Sequence, residues 1–78
     1  MNSDTPTTTA DLSGRELECL NHVADGLSAK EIALRCGITP RTVEAHLDRA
    51  RLKLNARNRA HMVALAIAQG VVGKTTAR

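Results

Sequence analysis

Two copies of one four-residue helix-start signal, fifteen positions apart, constrain this chain more than any other feature. Ser13-Gly14-Arg15-Glu16 and Ser28-Ala29-Lys30-Glu31 are both S-x-x-E capping boxes. In such a box the serine hydroxyl satisfies an orphan N–H and the glutamate reaches back to the cap. Leu12 with Leu17, and Leu27 with Ile32, flank them at the spacing of hydrophobic staples. A third start lies at Thr39-Pro40, where threonine caps and proline takes the first helical position, and Ile38 and Val43 complete its staple. Gly26 and Gly37 supply the stops. The signals predict helices over about 13–25, 28–36 and 40–55, and a fourth over about 58–69 that opens on Asn58 and ends at Gly70. No stretch alternates as a strand does, so the expected class is all-α with four helices.

Residues 1–11 contain four threonines and a proline but only Met1 and Ala10 as apolar residues. That composition buries too little to offset ordering, and the segment reads as a flexible tail. Residues 73–78 read the same way, leaving one domain over 12–72. A chain of 78 residues gives a small core, so a partner or a second copy is expected to contribute burial. The absence of Phe, Trp and Tyr excludes single-strand binders that stack bases on aromatic rings. Cys19 and Cys36, with no CxxC and no neighbouring histidine pair, suggest neither a disulfide framework nor a zinc site. The longest apolar run, Met62 to Ala68, is too short to span a bilayer, and no charged-then-apolar leader opens the sequence. A small cytosolic domain without metal or cofactor remains.

In the third helix Val43, Leu47, Ala50 and Leu54 form a narrow apolar stripe, and Arg41, Glu44, Ala45, Asp48, Arg49, Leu52 and Asn55 lie around the opposite arc. The second helix stops at Gly37, two residues before Thr39 opens the third. This is the tight glycine-containing connection of a helix-turn-helix, whose second helix enters the DNA major groove. Charge agrees with it. Residues 1–27 carry Arg15 against Asp4, Asp11, Glu16, Glu18 and Asp25, a net −4. Residues 41–59 carry Arg41, Arg49, Arg51, Lys53, Arg57 and Arg59 against Glu44 and Asp48, a net +4. A polyanion is drawn to the third helix and repelled from the first.

From Ala60 to Ala68 only His61 is polar, so the fourth helix is apolar nearly all round. One face packs on the other helices; the other is either a surface for self-association or a set of exposed alanines that are simply good helix formers.

These residues resemble the LuxR-type (GerE-like) helix-turn-helix domains of bacterial transcription regulators. The resemblance runs from Leu12-Ser13-x-Arg15-Glu16-x-Glu18-x-Leu20 through Ala24-x-Gly26-Leu27-Ser28-x-x-Glu31-Ile32-Ala33. It continues through Ile38-Thr39-Pro40-Arg41-Thr42-Val43-x-x-His46-Leu47 to Lys53-Leu54-x-x-x-Asn58-Arg59. It implies a four-helix domain at the bacterial nucleoid, with the third helix in the major groove of double-stranded DNA and the last helix pairing two copies as a homodimer. By that analogy Glu44, Ala45, Asp48 and Arg49 face bases. Lys30, Arg41, Thr42, Arg51, Lys53 and Arg57 are the candidates for phosphate contact, and Ala60, Ala64, Leu65 and Ala68 for the dimer interface. RNA polymerase or a full-length LuxR-type regulator are the further partners it implies. Ala50-Arg51 with Lys53-Leu54-Asn55-Ala56 looks more like the quorum-sensing branch than the response-regulator branch.

The sequence departs from the family in several places. Glu44 and Asp48 stand where relatives often carry Lys, Asn or Arg; a carboxylate accepts from cytosine N4 but costs affinity near phosphates. Leu52 replaces a frequent basic residue. Cys19 and Cys36 stand at aliphatic core positions and read as small buried hydrophobes. Only an eleven-residue tail precedes Leu12, so a stand-alone form without a sensor domain is expected. The departures also motivate an alternative, an interaction protein that heterodimerises with a full-length regulator and inhibits it. A sigma-factor region-four-like module shares the helix-turn-helix but leaves the fourth helix without a purpose. Gly73-Lys74-Thr75 resembles a Walker A end, but Ala68 stands where the motif needs glycine. His22, His46 and His61 fall on three helices without metal-ligand spacing, and His46, at the border of the apolar stripe, reads as a packed, hydrogen-bonded residue. No catalytic constellation emerges, and no enzyme is expected.

Overall fold

The computed structural model describes residues 11–72; the two expected tails, apart from Asp11, lie outside the described residues. Four helices follow in order, α1 Gly14–Ala24, α2 Ala29–Cys36, α3 Pro40–Lys53 and α4 Arg59–Ala68, with no strand among the described residues. Both capping boxes are formed reciprocally. Ser13 Oγ accepts from Glu16 N and Glu16 Oε1 from Ser13 N, while Ser28 and Glu31 repeat the arrangement. Thr39 caps α3 by accepting from Thr42 N, and Asn58 caps α4 by accepting from His61 N.

The stops need backbone that turns left. Gly37 ends α2 with φ +71°, its N–H donating to Ala33 O, a conformation that costs glycine nothing. α3 ends two residues earlier than its apolar periodicity suggests. Asn55 adopts φ +59°, and Ala56 N closes back on Arg51 O. Asparagine is the residue after glycine most often found at such a position, so Asn55 is a helix stop that reads in sequence as part of the helix.

The core contains no aromatic ring. Cys19 and Leu20 of α1, Ile32 and Ala33 of α2, and Met62 and Ala66 of α4 close around the α3 stripe Val43, Leu47, Ala50 and Leu54, all of them buried. α3 is the central element, packed against α1 and α2, with α4 laid more lightly on α1 and α3. One long-range polar contact ties the ends of this arrangement. Lys53 Nζ, at the end of α3, lies 2.8 Å from Glu16 Oε1 in the first turn of α1 and 3.0 Å from Asp11 O.

Candidate nucleic-acid interface

The interface is built outward from the α3 stripe. With Val43, Leu47, Ala50 and Leu54 anchored in the core, the helix has no freedom to rotate, and the opposite arc is presented to solvent. Arg41, Glu44, Ala45, Asp48, Arg49, Leu52 and Asn55 are all exposed, as the helical periodicity requires. The Gly37 turn seats this helix across the end of α2. Ile38, half-buried, packs against the core, and Ile38 N donates to Ala33 O together with Gly37 N. Thr42, half-buried in the first turn, shares a 2.9 Å hydroxyl contact with Thr39, so its side chain is already positioned.

The charges on the arc are partly neutralised within the chain. Glu44 is paired with Arg59 at 2.5 Å, and Asp48 with Arg51 at 3.4 Å. Both pairs line a cleft of about 210 Å³ between α3 and α4, floored by Leu47 and Met62. Arg51 also donates to Ala56 O at 3.1 Å, which makes it a brace for the loop after α3. Lys53 is turned inward to Glu16. By contrast Lys30, Arg41, Arg49 and Arg57 are exposed and form no ion pair among the described residues. The ten positions expected to face DNA therefore divide into groups that the sequence pattern does not separate. Arg49 and three of the phosphate candidates present free cations, two phosphate candidates are engaged within the chain, Lys53 inward with Glu16 and Arg51 on the arc with Asp48, and two acidic positions are tied to arginines.

Glu16 itself is buried, and burial pushes its carboxyl up. The hydrogen bonds from Lys53 and Ser13, with the nearby charges of Lys53 and Arg49, outweigh that effect and hold it below the ordinary carboxylate value. His46 departs from expectation. It is half-buried as its border position suggests, but Nδ1 is enclosed without a hydrogen-bond partner among the described residues.

On α4 only Met62 and Ala66 are fully buried. Ala60, Ala64 and Ala68 are exposed and Leu65 is half-buried. Ile67, 52% exposed and not among the four residues expected at the pairing surface, belongs to the same outer face and is its most exposed large apolar group. The i, i+4, i+7 spacing from Ala60 to Ile67 would have identified it. Two further large side chains are exposed, Leu52 on the α3 arc and Leu34 on α2. No helix among the described residues is long and apolar enough to cross a membrane.

Comparison with known proteins agrees with this geometry. The family described as bacterial regulatory proteins, luxR family, matches residues 10–66. The transcriptional activator protein LuxR of Aliivibrio fischeri is 40% identical over 62 residues, covering 80% of this chain and 25% of that protein. The transcriptional activator protein BjaR1 of Bradyrhizobium diazoefficiens is 44% identical over 68 residues, covering 87% of this chain and 28% of that protein. The chain thus spans about a quarter of the length of these relatives. Among solved structures the transcription factor GerE superposes with a TM-score of 0.75 at 26% identity, covering 80% of this chain and 92% of that one. The four helices, the Gly37 turn and the α3 arc are those of a LuxR-type helix-turn-helix DNA-binding domain, and the chain belongs to the luxR family of bacterial regulatory proteins.

Proposed function

We propose that this chain binds a specific double-stranded DNA site as a homodimer, inserting α3 of each copy into the major groove. The observation that carries this reading is the α3 arc, exposed along its length while the opposite stripe is fully buried. Glu44, Ala45, Asp48 and Arg49 face base edges. Arg49 is the strongest of these, because arginine reads guanine O6 and N7 with two donors. Lys30, Arg41, Thr42 and Arg57 contact phosphates and set register, whereas Arg51 and Lys53 contribute only after releasing Asp48 and Glu16. The outer face of α4, Ala60, Ala64, Leu65 and Ala68 with Ile67, pairs the two copies. The two recognition helices then reach successive major grooves about 10 base pairs apart.

A second reading rests on the ion pairs. Glu44 and Asp48 consume two cations at the face where DNA binding needs them, which favours a chain that pairs through α4 with a full-length LuxR-type regulator and holds it off DNA. Sedimentation of the pure protein, followed by titration with duplex at low and moderate salt, separates the two. Saturable duplex binding by a homodimer supports the regulator; a monomer that ignores DNA supports the inhibitor.

A further inference from the structure

The C-terminal ends of α1 and α2 meet at a cluster of side chains that the DNA-facing arc does not use. Glu18 and His22 stand four residues apart on α1 and share a face of it. Cys36 is the last residue of α2. A carboxylate oxygen of Glu18, an imidazole nitrogen of His22 and Sγ of Cys36 all lie within 4.8 Å of one another. Linear spacing hides this group, because its members come from two helices that the Asp25 to Ser28 connection folds side by side.

We propose that Glu18, His22 and Cys36 bind a divalent metal ion of the zinc class, with water in the fourth position. Carboxylate, imidazole and thiolate together are a donor set suited to zinc, which tolerates mixed O, N and S ligands in tetrahedral geometry. Zinc bond lengths place tetrahedral ligand atoms about 3.5 Å apart, so the cluster has to close by at most roughly 1.3 Å. Glu18 is exposed and His22 only half-buried, and side-chain torsions supply that movement.

The electrostatics of the locus already favour a cation. His22 lies in the last turn of α1 and Cys36 at the end of α2, so the negative ends of two helix dipoles converge there. Arg15 now occupies the outer side, with Nη1 3.2 Å from Glu18 Oε1 and 3.3 Å from Cys36 O. Both contacts are exposed, so displacing the guanidinium into solvent costs little. Burial, and then the Glu18 carboxylate, holds the Cys36 thiol above its ordinary value, and burial together with Cys36 pushes Cys19 up to about 11. On binding, the Cys36 S–H bond breaks, the proton passes to solvent and Sγ bonds the metal; no electron changes hands. The ion then ties α1 to α2 immediately before the Gly37 turn.

Reduced, metal-free full chain titrated with Co²⁺ tests the site. The expected result is saturation at one equivalent with a thiolate-to-cobalt charge-transfer band, reversed by Zn²⁺, and a rise in melting temperature when Zn²⁺ is added to the metal-free protein. Cys36→Ser removes the band. His22→Gln and Glu18→Gln weaken binding at least about 10-fold, since losing even an outer partner of a metal ligand costs that much. Circular dichroism establishes that each variant is folded; if Cys36→Ser is not, His22→Gln, at a half-buried position, carries the test. Absence of a thiolate band at saturating Co²⁺, or a folded His22→Gln variant that binds as tightly as the parent, overturns the proposal.

Discussion

Lys53 Nζ sits 2.8 Å from Glu16 Oε1 and joins the end of α3 to the start of α1 across 37 positions of sequence. Glu16 serves this contact and its own capping box at once, so one carboxylate fixes both the N-terminus of α1 and the C-terminus of α3. Lys53→Met leaves a buried carboxylate without its counter-charge. The expected loss is about 1–3 kcal/mol, below the cost of breaking a fully buried pair and above that of an exposed one, because the lysine remains 37% exposed. Urea unfolding at neutral pH measures it.

The same contact has a pH signature. The carboxyl of Glu16 is lowered in the folded chain, so its contribution is fully present above the unfolded value and is lost as pH falls through the folded one. Stability therefore declines as the pH is taken below the ordinary glutamate value of 4.5. In Glu16→Gln that decline is shallower, which parallel denaturation curves across this range will show.

The start signals of the helices depend on residues three positions apart, and they were legible for that reason. Ser13, Ser28 and Thr39 cap as their neighbours dictate, and the apolar stripe of α3 is buried residue for residue. What could not be read is what depends on the assembled fold. Nothing near Lys53 in sequence points to Glu16, and nothing near Glu44 points to Arg59. Asn55 escaped because its side chain suits a helix surface as well as a left-handed stop. The positions proposed to face DNA follow from periodicity and resemblance, but which of their cations are free follows only from the ion pairs.

Gly37 places its backbone where only glycine is unstrained. A Cβ there meets nothing within 4 Å, so Gly37→Ala carries the cost of the left-handed backbone alone, about 1–2 kcal/mol. Gly37→Asn costs less, since asparagine tolerates that region. Thermal melts of the two variants give the order directly.

The free and engaged cations separate in salt dependence. Arg41→Gln, which removes one of the proposed phosphate contacts, is expected to flatten the slope of log K against log salt by about 0.9. Arg51→Gln changes the slope less, because Asp48 already holds part of its charge. Anisotropy titrations over a series of salt concentrations distinguish them.

Arg49→Ala should weaken binding to the preferred duplex by about 1–3 kcal/mol and leave scrambled duplexes nearly unaffected. Equal loss on both sequences reassigns Arg49 to the phosphates. Ile67→Glu, on the exposed face of α4, should leave the fold intact and abolish pairing, visible as a halved sedimenting mass.

The proposed homodimer reads one DNA site through α3 of each copy. Selecting bound duplexes from a random pool, then measuring the mass of the complex on the winner, tests it most directly. The expected result is enrichment of a two-fold-symmetric site with half-sites about 10 base pairs apart, bound by two copies. A pool that shows no enrichment, or a selected site held by a single copy, would contradict it.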